Sequence, residues 1–561
     1  MKMSTPRTGG QILVDHLVSE GVDRVFCVPG ESYLAVLDAL YDTGIEIVVC
    51  RQEGGAAMMA EAYGKLTGKP GVCFVTRGPG ATNASAGIHI AQQDATPMLL
   101  FVGQVERGFI GREAFQEVDY RAAFSPLAKW ATEIEETKRI GEIVSRAFHT
   151  ARSGRPGPVV VALPEDVLTE ASDVPAVPPA SEAIAWPAPR QIERLSALLA
   201  ASKRPVAILG GSRWSASAVK HFTKFAEGFD LPVAVTLRRQ MLFSSDHNNF
   251  VGDIGVGPNP ALLELIAKSD LILLVGDRLS EMPSQSYTLI TPNDTRKLVH
   301  VFPDADELGR FYRPTLPIAC SPAEFAEAIS ELRPSADVVW SHITKDARDA
   351  YLAYSDPTNI KIPGQLQMGE VMQFLRDRLP ASAIICNGAG NYTAWVHRFY
   401  RFREFGTQLA PTSGSMGYGV PAAVSAKITN PDRMVIAFAG DGCFLMHGQE
   451  FATAVQYNAP VIVILVDNAM YGTIRMHQER DYPGRVTGTE LKNPDFAAYA
   501  RAFGGHGETV RSTSEFAKAF ERAAASGIPS ILHCIIDPEA ITPTMTLGQI
   551  RDHARAAANS G

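Results

Sequence analysis

The chain has 561 residues, 46% hydrophobic and 20% charged, with a formal net charge of −8. That length predicts three or four domains, and the composition is that of a soluble globular protein with large cores. The negative balance, without a long basic run, excludes nucleic acid or an anionic membrane as the main partner. The seven cysteines are scattered without a CxxC pair, so they read as buried reduced thiols. The opening MKMSTPRTGG lacks the apolar core of a signal peptide, and no run is long enough to span a bilayer. A cytoplasmic location is expected.

Residues 10–170 alternate helical and strand patterns. A helix over Gln11–Glu20 is followed by strands at Arg24–Val28 and Ile45–Cys50. Arg51-Gln52-Glu53-Gly54-Gly55 reads as a turn before a small-residue helix, Ala56–Leu66. A strand at Val72–Thr76 runs into the glycine-rich turn Arg77–Asn83, and further buried strands fall at Met98–Gly103 and Pro158–Leu163. The proline-rich stretch 174–190 reads as a linker. A second unit, 191–335, has strands near Val206–Leu209, Val233–Leu237, Leu271–Val275 and Leu298–Phe302. A less ordered connection, 336–365, leads to a third unit, 366–540, with strands near Ala383–Cys386, Met434–Ala439, Val461–Val466 and Ser530–Ile536. The tail, 541–561, reads as a short helix with a frayed end. Strands alternating with helices imply an α/β chain of three doubly wound parallel sheets, the first ending near residue 173.

The most informative stretch is Val435–Asn468. An apolar run breaks at Gly440-Asp441-Gly442, a helical segment follows, and a second apolar run ends in Asp467-Asn468. That is one βαβ unit, with Asp441 and Asn468 at the carboxyl ends of its strands, where ligands collect in such sheets. A carboxylate and an amide oxygen suit Mg²⁺, which takes one or two such groups plus phosphate oxygens and water. Gly440 and Gly442 leave room for a phosphate to approach backbone N–H groups, including that of Cys443. A GDG alone is also met as an ordinary turn with Asp441 as a helix cap.

GDG, 25 residues, then Asn resembles the thiamine-diphosphate motif of the acetolactate synthase and pyruvate decarboxylase superfamily, and the resemblance extends over nearly the whole chain. It implies pyrimidine-binding, central and diphosphate-binding domains, with Mg²⁺ held by Asp441, Asn468 and the main-chain carbonyl of Met470. It implies that Tyr471 and Gly472 border the cofactor. RQEGGAAMMA resembles the acetolactate synthase version of the stretch bearing the catalytic glutamate, here Glu53, which hydrogen-bonds the aminopyrimidine ring. Such a glutamate needs an apolar setting that disfavours its charge. By residue type alone Glu53 reads first as a carboxylate at a helix N-terminus, and the GDG unit in the same chain tips the reading to catalysis; Glu61 reads as structural. Thr412–Gly419 resembles the loop that bends the cofactor: Met416 would wedge beneath the thiazolium and the Gly414 carbonyl would accept from the amino group. AFQEVD, 114–119, matches the acetolactate synthase pattern, placing Phe115 and Gln116 at the substrate end. Gly30 and Glu31 occupy the family's glycine-rich loop. Lys129 reads as solvated and His89 as a packed or capping histidine. The activity implied is decarboxylation of a 2-oxo acid with carboligation to a second carbonyl compound, in a homodimer or homotetramer whose site lies between two chains.

The pattern departs from biosynthetic acetolactate synthases after Asn468. Tyr471, Thr473 and His477 stand where that family has Leu, Met and the substrate-selecting Trp, which makes the pocket more polar. Gly388-Ala389-Gly390-Asn391 replaces Gly-Gln-His-Gln, with Gly390 and Asn391 still placed to contact phosphate. Gly210-Gly211-Ser212, Thr236-Leu237-Arg238 and Gly276-Asp277-Arg278 match only loosely the strand ends that hold FAD in acetolactate synthases. A decarboxylase releasing an aldehyde from a polar keto acid is the neighbouring reading. A nucleotide-dependent oxidoreductase is the reading from another class, and its GxGxxG after the first strand is not found.

Overall fold

The computed structural model describes residues 6–335 and 337–560; Ala336, first residue of the expected second connection, lies outside them, as do residues 1–5 and Gly561. Three six-stranded sheets carry the chain, each built only of parallel pairs. The first is made of β2 (Arg24–Cys27), β3 (Glu46–Val49), β4 (Gly71–Val75), β5 (Met98–Gln104), β6 (Trp130–Glu133) and β7 (Pro158–Pro164). A two-stranded antiparallel pair, β1 (Arg7–Thr8) and β8 (Ala171–Ser172), joins the start of this region to its end. The central sheet holds β9 (Pro205–Leu209), β10 (Val233–Val235), β11 (Phe250–Asp253), β12 (Leu271–Val275), β13 (Lys297–Phe302) and β14 (Leu316–Ala319). The third holds β15 (Ile384–Asn387), β16 (Gln408–Leu409), β17 (Val435–Gly440), β18 (Ile462–Asp467), β19 (His506–Val510) and β20 (Ser530–Ile535).

The first sheet runs β3-β2-β4-β5-β7-β6 and the third β16-β15-β17-β18-β20-β19. Numbered from the first strand of each, both read 2-1-3-4-6-5. The central sheet runs β11-β10-β9-β12-β13-β14, or 3-2-1-4-5-6. In each, the chain reverses direction beside its first strand, and the crevice beyond the strand ends at that reversal is where ligands bind in doubly wound sheets. The central strands are buried on both faces, so they read in sequence as unbroken Val, Ile and Leu runs.

Several expectations need correction. The small pair β1 and β8 was not foreseen, and the strands of the three large sheets not foreseen, β6, β11, β14, β16 and β19, all lie at sheet edges. The helix expected from Ala56 begins at Glu53, with the Gln52 side chain accepting from the Gly55 N–H as its cap. Pro79–Asn83, expected as part of a turn, is the first turn of a helix over Pro79–Asp94. The connection expected to be less ordered holds a helix, Ser341–Tyr354, and the expected linker ends in one that starts at Pro189. The tail is helical over Leu547–Ser560. All seven cysteines are buried and unbridged. Among the described residues no helix is long and apolar enough to cross a membrane.

The chain divides into two compact units. One combines residues up to 183 with 411–429 and 447–457, so two helices late in sequence, Gly419–Thr429 and Glu450–Gln456, belong with the first sheet. The other holds the central and third sheets.

Candidate active site

In the first unit the turn Arg77–Gly80, after β4, gathers the residues singled out in sequence. Arg77 is buried and pairs with Glu31, after β2, at 2.9 Å, and with Glu165. Its Nε donates to the Phe115 carbonyl at 3.2 Å. A Cβ on Gly78 would lie 2.8 Å from that of Gln116, and one on Gly80 3.3 Å from Glu53 Oε1. Glu31, Glu53, Phe115 and Gln116 therefore meet at the sheet's switch point. Glu53 is half-buried at the first position of its helix and accepts from Asn83 Nδ2 at 3.0 Å.

The AFQEVD stretch divides by role. Glu117 accepts from the Gly111 and Ala114 N–H groups, Asp119 caps the next helix, and the Tyr120 hydroxyl accepts from the Gly78 N–H at 2.7 Å. These bonds hold the loop and leave Phe115 72% exposed, beside Gln116 at a positive φ of 64°. A non-glycine residue in the left-handed region is strained, and such strain gathers at functional sites. Gly30 has a packing reason: its Cβ would lie 2.4 Å from that of Thr76. Glu31, expected in the substrate pocket, has its carboxylate turned to Arg77. Lys129 is exposed, as expected, and donates to the Ser153 carbonyl; His89 faces solvent, which corrects its expected packed or capping setting.

Residues 411–418 belong to the same unit. Gly414 has a φ of 69° and open space where a Cβ would be, and Met416 is half-buried. The loop is pinned at both ends. The Thr412 N–H and hydroxyl donate to Asp94, and Tyr418 donates to fully buried Glu61 at 2.5 Å. Lys65 bridges Glu61 and Asp94. Glu61 is thus structural, and what it supports is this loop.

In the second unit, β17 leads into Asp441, first residue of a short helix, and β18 ends at Asp467. Asn493 Nδ2 lies between the two carboxylates, 2.7 Å from Asp441 Oδ2 and 2.8 Å from Asp467 Oδ1. Burial, reinforced by the Asp467 charge, pushes the Asp441 carboxyl up to about 6. Burial also opposes the charge on Asp467, but donation from His533, the Ala469 N–H and Asn493 outweighs it and holds that carboxyl below its usual range. Two carboxylates this close repel, and a cation set between them would relieve that repulsion. Asn493 Oδ1 is buried without a hydrogen-bond partner. Asn468 follows, half-buried. The site suits a hard divalent cation that brings its own phosphate and water oxygens. Among the described residues no group of three or more His, Cys, Asp or Glu forms a closed metal cage.

The glycines of the motif serve packing as well as ligand access. A Cβ on Gly442 would lie 2.6 Å from the Tyr471 ring, and one on Gly440 3.1 Å from the Tyr392 ring. Gly472 brings its backbone close to Asn468: a Cβ there would lie 3.0 Å from Nδ2. The Met470 carbonyl accepts from the Gly472 N–H at 2.9 Å, which leaves one lone pair for a metal. Cys443 is buried with its sulfur 3.3 Å from the Tyr392 hydroxyl. Gly390 adopts a φ of 146°, with the Tyr392 ring 2.9 Å from where a Cβ would lie. Asn391 corrects an expectation, because its amide is engaged with Thr473 Oγ1 at 2.8 Å and the Ile541 carbonyl at 3.2 Å. Thr473, expected in the substrate pocket, spends its hydroxyl on that bond. His477 is half-buried, and its Nδ1 has no partner.

At the central sheet's switch point the three turns bind one another. Thr236 donates to Asp277, which also accepts from the Leu279 N–H, and the Trp214 indole donates to the Gly210 carbonyl.

The thiamine pyrophosphate enzyme domains match the chain in three places: the N-terminal TPP-binding domain at residues 7–123, the central domain at 192–329 and the C-terminal TPP-binding domain at 388–534. The chain belongs to the thiamine pyrophosphate enzyme family. It is similar to the acetolactate synthase large subunit of Corynebacterium glutamicum, 32% identical over 96% of this chain and 89% of that one. It is 30% identical to the acetolactate synthase isozyme 2 large subunit of Escherichia coli, over 94% and 95% of the two chains. Against the acetolactate synthase large subunit of Lactococcus lactis the identity is 33%, over 90% and 88%. As a member of this family the chain is a thiamine-diphosphate-dependent enzyme. Reasoning from sequence missed Asp467, Asn493 and Glu450. Asp467 was visible as the residue ahead of Asn468, whereas the other two come into place only through the fold.

Proposed function

We propose that this enzyme decarboxylates a 2-oxo acid and joins the remaining fragment to a second carbonyl compound, as the names of its relatives suggest. The observation that carries the reading is the buried pair Asp441 and Asp467, bridged by Asn493 and followed by Asn468, at the carboxyl ends of β17 and β18. Mg²⁺ there would be held by Asp441, Asn468 and the Met470 carbonyl, with Asp467 and Asn493 orienting Asp441. Bound thiamine diphosphate supplies a thiazolium that accepts the electron pair left by departing CO₂. Glu53 would hydrogen-bond the aminopyrimidine ring, with Asn83 donating to its carboxylate. Met416 would lie beneath the thiazolium, and Phe115 and Gln116 would border the substrate.

The residues expected at the acceptor end, Tyr471, Thr473 and His477, are polar. His477 offers a ring nitrogen without a partner, and a site built around such a group favours a substrate that hydrogen-bonds it. This supports a polar keto acid in place of pyruvate plus 2-oxobutyrate. The working form is a homodimer or homotetramer in the cytoplasm, its site formed by Glu53 of one chain and Asp441 of another. Apolar side chains left exposed on this chain, among them Leu34, Phe115, Leu445 and Met446, support that assembly. The test is a panel of 2-oxo acids with thiamine diphosphate and Mg²⁺. A hydroxy-ketone product is expected, aldehyde alone would assign the simple decarboxylase, and absence of CO₂ release across the panel would overturn the reading.

A further inference from the structure

Strand β3 is an edge strand, bonded to β2 on one side. The outward backbone groups of an edge need partners other than a strand. Here one short helix, Glu450–Gln456, and the residue after it supply them in series. The Tyr457 hydroxyl donates to the Ile47 carbonyl at 3.0 Å and accepts from the Val49 N–H at 2.7 Å. Glu450 Oε1 accepts from the N–H groups of Arg51 at 3.1 Å and Gln52 at 3.0 Å. Its Oε2 accepts from Thr453 Oγ1 at 2.6 Å, and Gln456 accepts from the Arg51 guanidinium. The next residue is Glu53.

Glu450 is fully buried. A buried carboxylate is expensive unless donors surround it, and here two of the three donors are the backbone amides ahead of Glu53. Gly55 completes the fit, because a Cβ there would lie 2.4 Å from Glu450 Oε1. A neutral side chain in this space would grip those amides less strongly, because a charged acceptor makes the stronger hydrogen bond. Burial pushes the Glu450 carboxyl up, and the donors from Thr453, Arg51 and Gln52 work against that shift.

We propose that Glu450 is a positioning residue for Glu53: its carboxylate, set on the outward amides of Arg51 and Gln52, fixes the direction in which the chain leaves β3 and therefore where the Glu53 carboxylate points. Tyr457 extends the same clamp two residues back along the strand. The inference rests on the catalytic reading of Glu53 given above. Glu450 itself acts only through the backbone.

The experiment uses the full-length protein and four variants, Glu53→Gln, Glu450→Gln, their double and Tyr457→Phe. Amide hydrogen exchange over residues 47–55 is measured without cofactor, and exchange of the cofactor's C2 proton for deuterium is measured with thiamine diphosphate and Mg²⁺ bound. In Glu450→Gln, amide exchange across Arg51 and Gln52 should quicken. C2 exchange should slow by about tenfold or more, as for other residues that orient an active group, while cofactor affinity changes little. Adding Glu450→Gln to Glu53→Gln should slow C2 exchange no further, which a general packing defect would not reproduce. If Glu450→Gln does not fold, Glu450→Asp and Tyr457→Phe carry the test, with smaller losses in the same direction. A folded Glu450 variant with normal C2 exchange, or one whose loss multiplies that of Glu53→Gln, overturns the inference. Normal C2 exchange in Glu53→Gln would instead overturn the reading of Glu53, and this proposal with it.

Discussion

The first and third sheets share one strand order, yet their switch points hold opposite chemistry. Beyond β4 a buried arginine, Arg77, is matched by Glu31 and Glu165, so the charges at that end find partners within the chain. Beyond β17 and β18 two carboxylates share one amide donor, and one of them is pushed up to about 6. The same crevice has become a closed ion-pair network in one sheet and a cation-seeking pair in the other. The topology fixes where a site can be, and the turn after the third strand of the first and third sheets, bearing Arg77 in one and Asp441 in the other, decides its chemistry.

The contrast can be broken by variants at either end. Glu53→Gln should have the largest effect, lowering turnover by about 10²- to 10⁴-fold with the fold intact, as for loss of a positioned acid–base group. Steady-state kinetics beside a thermal melt checks it. Asn493→Ala removes the donor between the carboxylates and should weaken Mg²⁺ binding about 10- to 100-fold, read from the Mg²⁺ dependence of activity.

At the matched end, Arg77→Gln should act on stability rather than metal binding. Its carboxylate partners are partly exposed, so a loss of about 1 to 2 kcal/mol is expected by denaturant titration. An effect on the Mg²⁺ dependence would contradict the division of roles.

The smallest effect concerns pH. Donation from Arg551, helped by Arg475 and the Gly484 N–H, holds the Glu479 carboxyl down at about 2, against 4.5 for the free group. A depressed carboxyl stabilises the fold above its unfolded value, and that contribution disappears as the pH falls from about 4.5 towards 2. Because Arg551 lies on the Leu547–Ser560 helix, that helix should become sensitive to protease across this window. Glu479→Gln should show the same sensitivity at neutral pH.

The central strands were legible in the sequence because burial on both faces forces continuous apolar runs. The unforeseen strands are edges such as β14, where buried and exposed residues alternate, and β16, only two residues long, so neither leaves such a run. Asp441, Asn468 and Glu53 stood out because a spaced motif needs no folding to be read. The partners that give them meaning did not, since Asn493 lies 52 residues from Asp441, and Glu450 lies 399 from Arg51. The glycines were half understood: Gly442 gives way to the Tyr471 ring, a neighbour that only the fold supplies. The helix starting at Glu53 shows the two readings of that residue to be compatible, since a carboxylate at a helix N-terminus can also serve a ligand.

If the Asp441 pair is the metal–diphosphate anchor proposed above, cofactor binding must depend on both the metal and that carboxylate. Isothermal calorimetry of thiamine diphosphate with Mg²⁺, on the wild-type chain and on Asp441→Asn, tests it most directly. The account predicts saturable, Mg²⁺-dependent binding in the wild type that is lost in the variant; equal binding by both, or none by the wild type, would contradict it.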